Sequence, residues 1–221
     1  MFAWRPIVWA FAIALLGSST AGAEQHLPML PAPEVTVDGA YAQAWLYESS
    51  LDLGKDLAET AEQGKRLVIL WEGEDCFDCK PMHEVNLRIP RIVEKITARF
   101  NVIRLDILGE RTVTDLDGET LTEEELATRS NVTFTPTLQF LSEFPDPAAG
   151  RTIKESEVFR SEGYFKPFHF NFLFHYVESN GYETQPHFQR WLGDIGRGLE
   201  GNGIHYDLMA DALPPDLPQE Y

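Results

Sequence analysis

Leu67-Val68-Ile69-Leu70-Trp71-Glu72-Gly73-Glu74-Asp75-Cys76-Phe77-Asp78-Cys79-Lys80 is the stretch whose reading decides the fold. Residues 67–71 form an apolar run of the length and kind expected for a buried strand. Past the stretch, apolar residues recur at Met82, Val85, Ile89, Ile92, Val93 and Ile96, which is helical spacing. The chain's two cysteines, spaced C-x-x-C, therefore stand where a strand hands over to a helix. In the first turn of that helix, the Cys76 sulfur is expected near unpaired backbone N–H groups and the positive end of the helix dipole. That setting favours thiolate, the form that attacks a disulfide. Cys79, one turn further on, is within reach to form or resolve a disulfide with it. Strand, C-x-x-C, helix is the redox reading of the motif.

Two other readings compete. A purely structural disulfide of this spacing closes almost no loop, so chain entropy gives it little stabilising effect. A metal site is the second, because Cys76, Cys79 and His83 lie along one helix. Zinc takes four ligands and its structural sites usually draw on a second cysteine or histidine pair. No such pair lies nearby in sequence, although Glu72 or a distant histidine could complete a set. Outside the metal reading, His83 is expected as a polar residue on the helix surface.

Residues 1–23 read as a secretory signal peptide. Arg5 supplies the positive start, residues 7–16 a short apolar core, and Ala21-Gly22-Ala23 a small-x-small cleavage site. The alternative, a retained anchor, needs a longer apolar stretch, and nothing later in the chain is long and apolar enough to span a bilayer. The mature protein is expected to be exported and soluble, with no stable membrane insertion after cleavage. A formal net charge of -17 argues against nucleic acid and anionic membrane surfaces as partners. A hydrophobic fraction of 43% in 221 residues suffices for one domain with elaborations, so stability need not rest on a disulfide.

Residues 24–34 are Pro-rich and read as irregular, and residues 40–46 fit either a short helix or a short strand. Residues 52–63 read as a helix, with Leu53, Leu57 and Ala61 at spacing four and Gly64 as its stop. Pro90 is expected to kink or break the helix that follows the cysteines. Residues 102–107 read as a second strand. Residues 108–120 form an insertion with turn chemistry at Asp117-Gly118; a solvated β-turn fits better than a calcium loop, whose full spacing is missing. Thr122-Glu123-Glu124-Glu125 is a capping box opening a short helix that ends near Ser130. Pro136 heads a strand, where proline is tolerated. A turn is expected over 146–150 and an antiparallel strand over 155–160. Pro167 starts a helix with an aromatic face, read as core rather than as a partner groove. A second helix is expected over 186–199, and a loose Pro-rich tail from Asp211 onward.

This order of elements resembles the thioredoxin fold, on Cys76-Phe77-Asp78-Cys79-Lys80, Thr135-Pro136 and Glu162-Gly163-Tyr164. It is an α/β fold: a central mixed β-sheet flanked by helices, here with an added C-terminal helical extension. A finer resemblance is to periplasmic thioredoxin-like proteins of the SoxW type. It rests on Cys79-Lys80-Pro81-Met82-His83-Glu84-Val85, on Val102-Ile103-Arg104-Leu105-Asp106-Ile107 and on Thr114-Asp115-Leu116-Asp117-Gly118. The resemblance covers roughly residues 65–195; the thioredoxin-like domain is expected over 24–180, with residues 181–221 as helical extension and loose tail. It implies a nucleophilic Cys76, a resolving Cys79, a cis Pro136, and Thr135 pairing with substrate through its backbone. It implies further a periplasmic client protein with a disulfide, a membrane electron donor of the CcdA or DsbD kind, and no organic cofactor.

Against ordinary thioredoxin, Leu70 stands where that family has a buried proton-accepting Asp, and Phe77-Asp78 replaces Gly-Pro between the cysteines. Glu72 is the substitute candidate for proton transfer, beside its reading as a plain surface carboxylate. With Glu74, Asp75 and Asp78 it opposes a thiolate at Cys76, which predicts a reducing couple and a reductase of protein disulfides. The alternatives are a metal-binding protein or metallochaperone using Cys76, Cys79 and His83, and a redox-inactive adaptor.

Overall fold

The computed structural model describes residues 28–36, 39–142 and 150–221. The proposed leader and the turn expected over 146–150 lie wholly or mostly outside them. Among the described residues, no helix is long and apolar enough to cross a membrane.

A two-residue pair, β1 (Glu34–Val35) and β2 (Tyr41–Ala42), precedes the main body. Helix α1 (Leu53–Glu62) starts where Asp52 accepts the Lys55 N–H at 3.2 Å. It stops at Gly64, whose φ of 66° is the left-handed conformation that glycine takes freely. The N–H groups of Gly64 and Lys65 then return to the carbonyls of Ala61 and Thr60, closing a Schellman motif. Next come β3 (Arg66–Glu72) and α2 (Cys79–Glu84), a turn of 3-10 helix over Asn86–Arg88, and α3 (Pro90–Arg99). Pro90 thus breaks the helical run and opens a new helix at its first position, where its missing N–H costs nothing. Strand β4 (Phe100–Asp106) leads to a hairpin, β5 (Thr112–Thr114) and β6 (Thr120–Thr122), and to α4 (Glu123–Arg129). Both bonds of the Thr122–Glu125 capping box are made, at 3.1 and 2.8 Å. The chain continues through β7 (Thr137–Leu141), β8 (Glu157–Glu162), α5 (Pro167–Glu178), α6 (Gly181–Thr184) and α7 (Phe188–Gly201).

The main sheet has the order β4-β3-β7-β8. β3 runs parallel to β4 and antiparallel to β7, and β7 is antiparallel to β8, which makes the sheet mixed. All seven residues of β3 are buried, as the apolar run requires. Side chains alternate along a strand, so β3 feeds two cores. Leu67, Ile69 and Trp71 join Leu53 and Leu57 of α1 and Leu126 of α4 in an aliphatic core. Val68 and Leu70 join α2, α3, α5 and α7 in an aromatic one, where Phe100, Phe140 and Phe174 meet edge to face. The aromatic face of α5 is core packing: Phe168, Phe172, Phe174 and Tyr176 are all buried.

The loose tail expected from Asp211 is corrected. Leu213 and Leu217 are buried in the aromatic core, and the Tyr221 ring packs 5.4 Å from that of Phe172. Arg91 of α3 donates to the carbonyl oxygens of Leu217, Pro218 and Tyr221. Prolines lower the entropy lost on ordering such a segment, and a composition that suggested looseness serves a docked one. The hairpin turn is corrected in one respect. Gly118 takes the positive φ of the turn, but Asp115 is buried rather than solvated. Its carboxylate accepts the N–H groups of Leu116 and Ile153 and an N–H of Arg129. Burial raises its pKa.

Candidate functional site

Strand β3 ends at Glu72, and residues 73–78 form the loop that carries Cys76 to the C-terminal edge of the sheet. Asp75 in this loop has φ 60°, a left-handed conformation that Asp tolerates better than most residues. Cys76 and Cys79 form a disulfide, so the site is in its oxidised state. Cys76 is half-buried, Cys79 is buried, and the Cys79 N–H donates to Cys76 Sγ at 3.1 Å. Cys76 therefore stands just ahead of the helix rather than in its first turn: the α-helical pattern begins at Cys79. The expected contact of its sulfur with a helix N-terminal N–H is nevertheless made.

Two aromatic side chains stand out at this edge. Phe77, between the cysteines, is 86% exposed, and Phe134 is 50% exposed. The Thr135-Pro136 peptide is cis. The carbonyl of Pro136 accepts the Gly163 N–H at 2.8 Å. A Cβ added at Gly163 would lie 3.4 Å from the Phe134 ring and 3.8 Å from an Asp78 carboxylate oxygen, which places this loop against the C-x-x-C segment. Pro136 is buried and Thr135 half-buried. The pairing of Trp71 with Thr137 on adjacent strands brings the two segments to the same edge.

Behind the disulfide lies a buried polar group, which overturns the surface reading of His83 and removes the surface alternative for Glu72. Glu72 is no surface carboxylate and His83 no surface residue: they are 6% and 0% exposed, and Glu72 Oε1 lies 2.7 Å from His83 Nε2. The alternation of β3 is the cause, since it puts Glu72 on the same face as Val68 and Leu70, the face that α2 covers. Cys79 and His83, four residues apart, share one face of α2. His83 Nδ1 lies 3.1 Å from the Gln43 amide nitrogen, Gln43 Oε1 accepts the Trp45 indole N–H at 3.1 Å, and the Tyr41 ring stacks on His83 at 4.6 Å. Burial, then the charges of Glu84 and Glu72, raises the pKa of the Tyr41 phenol. Tyr41, Gln43 and Trp45 escaped the sequence reading because nothing local marks them as partners of a residue 40 positions away.

With both ring nitrogens of His83 engaged, the trio Cys76, Cys79 and His83 does not converge on a common point. Among the described residues no three His, Cys, Asp or Glu side chains form a cluster suited to a metal ion. A cleft of about 760 Å³ opens beside the disulfide, bordered by Tyr41, Glu72, Cys76, Cys79, Arg104 and Glu123 among others. Glu123 is buried and held by Arg111 at 2.6 Å and by the Asp106 N–H at 2.9 Å, so it is a structural acid of the cleft wall.

No curated protein matches the chain. Among solved structures it is similar to a thioredoxin-fold protein from Helicobacter pylori, at 12% identity and TM-score 0.48, covering 67% of this chain and 98% of that one. It is also similar to a thioredoxin from Thermus thermophilus, at 26% identity and TM-score 0.43, covering 57% of this chain and 83% of that one. The family description "Thioredoxin-like domain" matches residues 53–178, more than half the chain and the whole span from α1 to α5. With its mixed sheet, its C-x-x-C disulfide after β3 and its cis proline ahead of β7, the chain belongs to the thioredoxin-like domain family.

Proposed function

We propose that this protein is an exported thiol–disulfide oxidoreductase of the SoxW type, acting in the periplasm as a reductase of protein disulfides. The observation that carries the reading is the asymmetry of the disulfide: Cys76 reaches solvent and Cys79 does not. In the reduced protein the Cys76 thiolate attacks one sulfur of a client disulfide. The client S–S bond breaks, one client sulfur leaves as thiolate, and a mixed disulfide remains on Cys76. Cys79 then attacks Cys76 Sγ, the mixed disulfide breaks, and the client leaves carrying two electrons. A membrane electron donor of the CcdA or DsbD kind supplies two electrons to regenerate the dithiol. In this reading the client approaches Cys76 along Thr135 and Pro136, and the backbone of Thr135 pairs with it. No organic cofactor enters the cycle.

The direction of flow rests on charge. Glu74, Asp75 and Asp78 lie within two residues of Cys76 in the chain, and a carboxylate ~6 Å away in a water-like medium costs a thiolate about 0.7 kcal/mol. Two or three offset the contribution of a helix N-terminus, about 0.3–1 kcal/mol at an exposed site. A reduced form without extra stabilisation makes a reducing couple. The test is insulin reduction in the presence of dithiothreitol, joined to a glutathione redox titration. Stimulated reduction is expected. No stimulation would leave the adaptor reading in its place, and a potential near about -120 mV would mark an oxidant.

A further inference from the structure

Single exposed apolar side chains are ordinary on a protein surface. Leu208 and Met209 differ, because they are exposed as neighbours, at 42% and 71%. They are the two central residues of a turn. The Ala210 N–H returns to the Asp207 carbonyl at 3.2 Å, and the Asp207 carboxylate accepts the Met209 N–H at 2.8 Å. Asp suits the first position of such a turn, and the centre normally takes Gly, Asn, Asp, Ser or Pro. Here the centre takes Leu and Met. The turn is anchored on both sides. Before it, the Tyr206 ring stacks on Phe168 of α5 at 4.4 Å, and a Cβ at Gly196 of α7 would collide with the Tyr206 hydroxyl. After it, Asp211 pairs with Lys166, and Leu213 is buried in the aromatic core. An apolar tip held in water by such anchors is a surface that a partner's apolar groups would relieve.

The same anchor ties the turn to the redox edge. Lys166 is three residues past Gly163, and its Nζ stands 6.0 Å from the centre of the Tyr164 ring. Gly163 in turn lies against the Phe134 ring and Asp78. The exposed rings of Phe77 and Phe134 are thus linked to the turn through one short segment, 163–166. We propose that the Leu208-Met209 turn is a client-docking element: a polypeptide brings its disulfide to Cys76 while apolar residues flanking its cysteine pack on Leu208 and Met209. The inference rests on the reading of Cys76 as the attacking sulfur. Methionine is unbranched and polarisable and moulds itself to apolar partners of different shape. Charge narrows the client further. Asp78, Glu162, Asp207 and Asp211 stand along this strip against Lys166, which is already paired with Asp211. The strip therefore fits a client flank that is apolar with neutral or basic residues, and repels an acidic one.

The turn lies beyond residue 178, where the family match ends, so this element belongs to the C-terminal extension and not to the matched domain. Both cysteines and the cis proline lie inside the match. Removing the apolar tip should therefore weaken client binding and leave the sulfur chemistry as it is, which separates a half-saturating concentration from a maximal rate.

Three synthetic peptides test this, each closed by one disulfide and alike except for leucines, serines or aspartates on both flanks of the cysteines. The full chain is reduced with dithiothreitol, freed of it, and mixed with each peptide over a range of concentrations. The leucine peptide is expected to reach half-maximal rate at a concentration about fivefold or more below that of the serine peptide, and the aspartate peptide to need the highest. The double variant Leu208→Ser, Met209→Ser should bring the leucine and serine peptides within about twofold of each other. Its maximal rate should stay within about twofold of the unsubstituted protein, which also shows that it is folded. Val35→Ser removes an exposed apolar side chain on β1 and should keep the leucine preference. A preference that survives the double variant, that Val35→Ser abolishes equally, or that is absent from the unsubstituted protein overturns the proposal, as does an aspartate peptide that saturates as readily as the leucine one. If the reduced unsubstituted protein reduces no peptide at all, the reductase reading itself fails and the proposal with it.

Discussion

The two ends of the C-x-x-C motif sit in different media. At the lip, Cys76 reaches solvent, Glu74 and Asp75 are exposed, and Phe77 is almost fully so. At the floor, three residues on, Cys79 is buried with Glu72 and His83. The same Coulomb interaction is about four times stronger at an effective dielectric constant of ~20 than in water, and salt screens the exposed charges far more than the buried ones. In sequence, Glu72, Glu74, Asp75 and Asp78 look like one acidic cluster. In the fold they divide: Glu74 and Asp75 are exposed and Asp78 is half-buried, whereas Glu72 is buried against His83.

The sharpest way to break this comparison is to remove each sulfur. Cys76→Ser is expected to abolish insulin reduction, and Cys79→Ser to accumulate mixed disulfides visible on non-reducing gels. Equal trapping by both variants would mean that lip and floor are not distinct. Next in size is His83→Leu, which leaves the Glu72 carboxylate buried without its hydrogen bond. Urea unfolding of the oxidised protein should show a loss of about 3 kcal/mol. A loss under about 0.5 kcal/mol would show the floor to be wetter than its burial suggests.

A third test asks whether an unpaired buried charge is costly elsewhere in the molecule. Lys95 on α3 has no hydrogen-bond partner for its Nζ among the described residues, and burial pulls its pKa from 10.5 down to about 8. Because the folded-state pKa is the lower one, the fold penalises the charged amine in full below about pH 8. Between about pH 8 and 10.5 the folded state sheds the proton while the unfolded chain keeps it, and that penalty is relieved. Lys95→Met is therefore expected to stabilise by about 1 kcal/mol at neutral pH. The advantage should fade as pH rises past 8. Arg99 and His175 remain to pair with Glu178. The smallest effect on stability is expected at the lip: Phe77→Ala should lie within about 0.5 kcal/mol of the unsubstituted protein. A larger loss in thermal or urea unfolding would mean that the ring packs where it is drawn exposed.

Much of the fold was legible because its signals are local. The apolar run of β3, the stop at Gly64, the break at Pro90 and the Thr122–Glu125 box all act within a few residues of themselves. Backbone hydrogen bonding and φ preferences operate over that same range. The readings that needed correction were those where burial was inferred from residue type. His83 reads as a helix-surface residue and the Pro-rich tail as loose, and Glu72 admits a surface reading beside its proton-transfer one. Burial belongs to neighbours, and these neighbours are distant in sequence: Gln43 from His83 by 40 positions, Leu217 from Arg91 by 126.

The sequence by itself determined that a strand delivers a C-x-x-C pair to the start of a helix, in the chain order of a thioredoxin-like domain, because periodicity, capping and turn chemistry are short-range properties. Only the tertiary structure decided which of these carboxylates is buried and which side chains His83 meets. Those depend on the face that β3 turns toward α2, and on a segment from the start of the chain that covers it, neither of which any local pattern encodes.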